Sequence, residues 1–288
     1  MKNTKLITTL VLLIAVFAVI ATLAGILSDG GSGEYEYESI RGQSVTIYGE
    51  GLYKHMSADV AIQGIAQDYV TLFLALPFLL FALFRFRNGS LKGKFMLAGV
   101  LNYFFLTYLF YMNMAMYNAM FLGYITLTGL TFFALVLTIL SIETDRLPEI
   151  FHKNTPVRFI GGFLIFNAVI IALLWLSVII PPLIDKTIVP IAVQHYTTLN
   201  VQAFDLSLFL PVSFVGGLLL IRKNKFGYLL APVYLVFLSL LMTALIAKII
   251  AMALAGVNVV PAIFIIPCIT IVAVVCGAIL IKNINQNE

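Results

Sequence analysis

Eight apolar runs, each long enough to cross a bilayer as a helix, follow one another along the chain: 6–27, 67–86, 95–112, 116–142, 159–180, 201–221, 226–254 and 258–281. This pattern leaves few architectures open. A hydrocarbon core about 30 Å thick takes roughly 20 residues of helix. Backbone N–H and C=O groups in lipid must be satisfied within the segment itself. The expected fold is therefore all-α and integral to a membrane, an eight-helix transmembrane bundle forming a single membrane domain over 1–288. Composition agrees, with 61% of residues hydrophobic and 10% charged, against about 25% charged in a soluble domain. The bilayer is the partner this implies. The net charge of +4 gives no case for nucleic acid, because the lysines and arginines sit at helix ends.

The first run, Leu6 to Leu27, follows a short basic start at Met1–Lys5. A secretory signal has an apolar core of about 7–15 residues and a small-x-small cleavage site. This run is longer and no A-x-A follows it, so it is expected to be a retained helix; a cleaved signal would leave seven spans. Residues 28–66 form the longest polar stretch, expected to lie on the membrane domain as an extracytoplasmic cap. It opens with DGGSGEYEYES, which reads as a flexible acidic linker. QSVTIYGEGLY follows, and its Val45, Ile47 and Tyr48 suggest a short strand before a glycine turn.

Orientation follows from basic residues. With the N-terminus inside, 13 of the 17 lysines and arginines fall on cytoplasmic segments, including Lys2, Lys5, Arg85, Arg87, Lys92 and Lys94. Arg41, Lys54 and Lys186 fall outside, and Lys248 lies within a span. This asymmetry predicts both termini in the cytoplasm. The Asn88-Gly89-Ser90 pattern then falls inside and is not a glycosylation site.

Helices 2 and 6 look alike. Gln67 to Pro77 (QDYVTLFLALP) and Gln202 to Pro211 (QAFDLSLFLP) each carry Gln, Asp, Thr or Ser, an L-F-L triplet and a proline. Each then enters a basic loop and a segment with Leu-Ala. A parallel four-plus-four repeat over 1–142 and 159–281 would have its axis along the membrane normal. It would also set Asp68 and Asp205 at equivalent depths across a central space.

Polar residues inside a span must face protein or water. Asp205 and Asp68 are thus candidate ligand-binding carboxylates, although a carboxylate near a helix start is also favoured by the helix dipole. Lys248 either snorkels to headgroups or pairs with one of these aspartates. Asn118 and Gln202 complete the candidate ligand-binding set. Tyr111, Tyr117, His55 and His195 are expected nearby, where Tyr also forms interfacial belts. The two histidines have no metal-ligand spacing, so no metal is expected. Cys268 and Cys276 are about 12 Å apart along one helix, too far for a mutual disulfide. No P-loop, dinucleotide fingerprint, HExxH or G-x-S-x-G motif is present, and no cofactor is indicated.

The run GQSVTIYGEGLYKHMSADVAIQGIAQDYVTLFLALPFLL, then NGSLKGKFMLAG, resembles a family of uncharacterised prokaryotic multi-pass membrane proteins to which no function attaches. The resemblance covers helices 2–4 and, more weakly, TTLNVQAFDL. It implies a prokaryotic plasma-membrane protein. Three functional expectations remain. The first is binding or transport of a small polar solute or ion at an outward-facing site. The second is an extracytoplasmic sensor or subunit of a membrane complex, with a membrane protein as partner. The third is an enzyme acting on a lipid or quinone.

Overall fold

The computed structural model describes residues 3–114, 116–187 and 190–285; Lys2 of the basic start lies outside the described residues. Eight described helices are long and apolar enough to cross a membrane. In chain order these are α1 (Thr4–Leu27), α2 (Ala58–Arg87), α3 (Leu91–Met114), α4 (Phe121–Leu140), α5 (Val157–Asp185), α6 (Asn200–Ile221), α7 (Lys225–Leu254) and α8 (Ala262–Lys282). The chain is a multi-pass membrane protein by this measure. Two short strands, β1 (Tyr35–Glu38) and β2 (Ser44–Ile47), pair antiparallel between α1 and α2.

Two expectations need correction here. The EYEYES stretch is not a linker. It forms β1, in register Tyr35 opposite Ile47 and Tyr37 opposite Val45, and Glu36 accepts hydrogen bonds from Thr46 (2.7 Å) and Ser44. The second helix begins at Ala58, nine residues before the apolar run at 67, so the segment between helices is 28–57 rather than 28–66. Asp59, Gln63, Gln67 and Thr71 recur every four residues, which puts all four on one face of α2. That face turns into the bundle, so the helix can be polar on it without being a loop.

The two central helices are α3 and α7, which cross where Gly99 of α3 lies against Val233 and Val236 of α7. Around this pair, α2 packs on α3 and α7, α6 packs on α7 and α5, α4 packs on α3 and α1, and α8 packs on α7. Side chains from α3 and α7 such as Leu97, Leu101, Phe104, Ala231, Leu235 and Phe237 are fully enclosed. By contrast Phe159, Phe166 and Leu173 of α5 are exposed, as a lipid-facing helix side requires.

Both α2 and α6 contain one π turn, Thr71–Ala75 and Asp205–Phe209. The Leu76 N–H bonds to the Thr71 carbonyl and the Leu210 N–H to the Asp205 carbonyl, each five residues back. A proline follows at once in both, Pro77 and Pro211. Proline has no N–H, and its ring crowds the carbonyl four residues earlier. Widening that turn by one residue relieves the crowding without breaking the helix.

The two ends of the bundle differ. At one end lies the β1–β2 hairpin. At the other, the basic end, Lys94 Nζ donates to the Ser141 carbonyl (2.7 Å), Lys92 Nζ to the Lys282 carbonyl (3.1 Å), and Lys225 pairs with Asp145 at 2.5 Å. That pair is solvent-exposed and worth under about 1 kcal/mol.

Candidate functional site

Polar side chains collect at the hairpin end between α2, α3, α6 and α7. The α2 face meets a matching face on α3, where Tyr103, Thr107 and Tyr111 also recur every four residues. Gln67 Nε2 donates to Tyr103 Oη (2.8 Å) and Thr107 Oγ1 (3.1 Å), and Thr71 Oγ1 lies 2.9 Å from Tyr103 Oη. Gln67 is only 3% exposed, and its Oε1 meets no donor among the described residues; a buried amide oxygen without a partner costs about 1–3 kcal/mol.

Asp68 sits beside this network, 1% exposed. Tyr53 Oη donates to its Oδ2 at 2.5 Å and Tyr111 Oη lies 3.2 Å from Oδ1, while also donating to the Gly64 carbonyl at 2.8 Å. Tyr53 reaches it from a single 3-10 turn, Gly51–Tyr53, just before α2. On the far side stands Gly25 of α1. A Cβ there would overlap the Asp68 carboxylate and come within 2.8 Å of Tyr53 Oη. Tyr53, Tyr108, Tyr111 and Tyr124 stack edge and face around the carboxylate, with centroids 5.3–6.2 Å apart.

Across from this cluster, Asp205 opens the π turn of α6. Its Oδ2 accepts from Trp175 Nε1 of α5 at 2.8 Å. Between the two sides lies a cavity of about 310 Å³. Gln63, Gln67, Gln202, Asp205 and Lys248 give its polar lining together with Thr107 and Tyr111, and Phe110, Leu241 and Leu245 much of the apolar wall. A second space of about 380 Å³ continues toward the hairpin end, sharing Val60, Gln63, Val201 and Gln202 with the first. Residues 193–198 and Asp59 frame this outer chamber.

The 191–198 segment is clasped from both sides. Arg41, in the β1–β2 turn, donates to the Gln194 carbonyl at 2.7 Å, and Gln194 Nε2 donates to Asp59 Oδ2 at 3.1 Å. Gln194 adopts φ 55°, a left-handed conformation uncommon outside glycine. His195 packs between Tyr37 and Tyr196, centroids 5.9 and 4.4 Å away. Burial holds its imidazole below the ordinary value, opposed by the His55 backbone nearby.

The structure brings three of the five sequence candidates, Gln202, Asp205 and Lys248, to one cavity. Asp68 lies behind Tyr53 and Tyr111 instead of on the cavity wall. Asn118 stands apart: its Oδ1 accepts from the Met120 N–H (2.9 Å) and fixes the turn into α4. Lys248 interacts electrostatically with Asp68, but no ion pair within 4 Å joins it to either aspartate among the described residues. Counted back from the two prolines, Asp205 matches Thr71, and Asp68 matches Gln202. The aspartates therefore differ by three residues in this count. Sequence reasoning missed Trp175, although a single tryptophan in the chain was a signal. It also missed Gln63, because helix 2 was started too late. Among the described residues no three His, Cys, Asp or Glu side chains group as a metal site. Comparison with protein families, with curated proteins and with solved structures finds no match.

Proposed function

We propose that the chain binds, and moves across the plasma membrane, a small polar solute that enters at the hairpin end, with that end facing outward. The observation that carries this reading is the cavity between α2–α3 and α6–α7, lined by opposite charges and joined to an outer chamber. Pockets of a few hundred Å³ with a few polar groups on apolar walls suit small ligands.

A likeness of α2–α3 to α6–α7, of the kind a four-plus-four parallel repeat would give, supports it. Pro77 and Pro211 serve as common origins. Each π turn ends two residues before its proline. Twelve residues after it, Gly89 and Lys223 both take positive φ, 78° and 54°. At the next position Ser90 Oγ and Asn224 Oδ1 accept a backbone N–H of the following helix. Three residues further, Gly93 and Gly227 each press on the backbone of the preceding helix, eight and nine residues past the proline. Gly99 and Val233, which meet at the α3–α7 crossing, are themselves equivalent by this count. Thr107 and Leu241, and Tyr111 and Leu245, are equivalent pairs on the cavity wall. A cavity on a repeat axis, flanked by helices with wide turns, is where transporters hold their cargo.

The test is a thermal-shift screen of purified protein against amino acids, sugars, ions and lipids, with Asp205→Asn alongside. A ligand at 100 times its Kd stabilises by about 2.7 kcal/mol. A wild-type shift absent from Asp205→Asn is expected; no shift by any solute, with the variant as stable as wild type, refutes the reading. Counterflow in proteoliposomes then separates transport from sensing, since a sensor or complex subunit would bind at the same cavity without exchange. The clasped 191–198 segment suits a sensor as well as a gate.

A further inference from the structure

We infer that the cavity's guest is a short zwitterion of the amino-acid type, its ammonium held by Asp205 and its carboxylate by Lys248. This rests on the solute-binding reading above and narrows it to one chemical class.

Three observations converge. Asp205 and Lys248 carry opposite charges on one cavity wall system, yet no ion pair joins them. Lys248 makes no hydrogen bond among the described residues, and its electrostatic partner is Asp68, which is outside the cavity lining. A cation and an anion that line one space without pairing leave room for a guest that carries both signs. A guest with one charge would leave the other facing an apolar wall, where an unpaired charge is expensive.

The second observation concerns the carboxylate of Asp205. Trp175 Nε1 occupies one oxygen and fixes the group's direction, and the other oxygen remains for an ammonium. An ionised carboxylate oxygen suits the charged N–H donors of an ammonium better than a neutral hydroxyl. Third, most of the remaining wall is apolar, with Val60, Phe110, Leu241 and Leu245 outweighing the side chains of Gln63 and Thr107, so the body of the guest is largely hydrocarbon. A sugar would leave its hydroxyls unpaired there. The volume of about 310 Å³ limits the guest to a single small molecule.

Binding of radiolabelled glycine, leucine and γ-aminobutyrate to the full chain in lipid nanodiscs tests this. Leucinamide, which keeps only the ammonium, and isocaproate, which keeps only the carboxylate, serve as controls. At least one zwitterion is expected to bind wild type ten or more times tighter than either control. Lys248→Met should lose the zwitterion tenfold or more while gaining leucinamide, and Asp205→Asn should gain isocaproate. Each gain shows a folded variant, so neither loss reduces to misfolding. If none of the three zwitterions binds, or if both controls bind as well as they do, the inference is overturned. The wider reading is judged separately. It survives if glucose or choline binds wild type and not Asp205→Asn. It falls too if no probe binds and a cysteine placed at Gln202 resists a membrane-impermeant thiol reagent.

Discussion

Asp68 shows how much one side chain can constrain its surroundings. Its carboxylate is enclosed by Gly25, Tyr53 and Tyr111, which come from α1, the turn before α2, and α3. Leaving a buried polar group without its partner costs about 1–3 kcal/mol. Tyr53→Phe should therefore lower stability by about 2 kcal/mol, read as a fall in Tm in detergent, with the fold otherwise kept. Gly25→Ala places a methyl group on the carboxylate, and overpacking of this kind costs about 1–3 kcal/mol. The same change in an Asp68→Ala background should cost less, because the carboxylate is gone and only Tyr53 Oη, at 2.8 Å, remains close. Additive losses in that double-mutant cycle would show that Gly25 and Asp68 do not touch. His195, outside the spans, gives a pH-dependent prediction. Burial holds its pKa below 6.5, so the neutral form favours the clasped segment, and that contribution is lost as pH falls through the depressed value. Proteolysis or hydrogen exchange of 191–198 should therefore rise between pH 7 and 5, flanked as His195 is by Tyr37, Tyr196 and the His55 backbone. His195→Gln should flatten the profile.

At the scale of elements, the π turns aim the site. Pro211→Ala restores an N–H and lets α6 close as a regular helix, which rotates residues on one side of the turn by about 100° relative to the other. Tm should hold or rise, while solute binding weakens at least tenfold because Asp205 leaves the cavity; a fall in Tm with binding intact would refute this role. The existence of all eight helices was legible in the sequence, since lipid permits little else for such runs. The start of α2 was not. Asp59 and Gln63 look like solvated cap in a hydropathy window, although their four-residue spacing with Gln67 marks a helix face turned inward. β1 was hidden for a similar reason, because Glu36 and Glu38 alternate with Tyr35 and Tyr37 in a stretch flanked by glycines. The hydrogen bonds from Ser44 and Thr46 to Glu36 belong to a partner strand that local composition does not reveal.

For the whole molecule, the important contact is the α3–α7 crossing, where Gly99 of one helix meets Val233 and Val236 of the other. Gly99→Leu should force the central pair apart, lower stability by about 1–3 kcal/mol and abolish solute binding together with it. Gly129, with nothing near its Cβ position, should accept the same change with little effect on Tm. The resemblance of helices 2 and 6 was visible as similar strings, but its register was not. Matching Asp to Asp misaligns the strings by three residues, whereas the prolines, which dictate backbone geometry, align them.

The walls around Asp68 also have a consequence for how the chain is made. Asp68 lies ten residues into α2, about 15 Å from its start, and every group that shields it belongs to another segment. Tyr53 and Gly25 precede it, but Tyr111 is synthesised more than forty residues later. When α2 first leaves the ribosome, its carboxylate has no complete shelter, and release into lipid would cost about 2.5–3.5 kcal/mol at mid-membrane. α2 should thus linger beside the insertion machinery until α3 arrives, and the two should enter the bilayer as a hairpin.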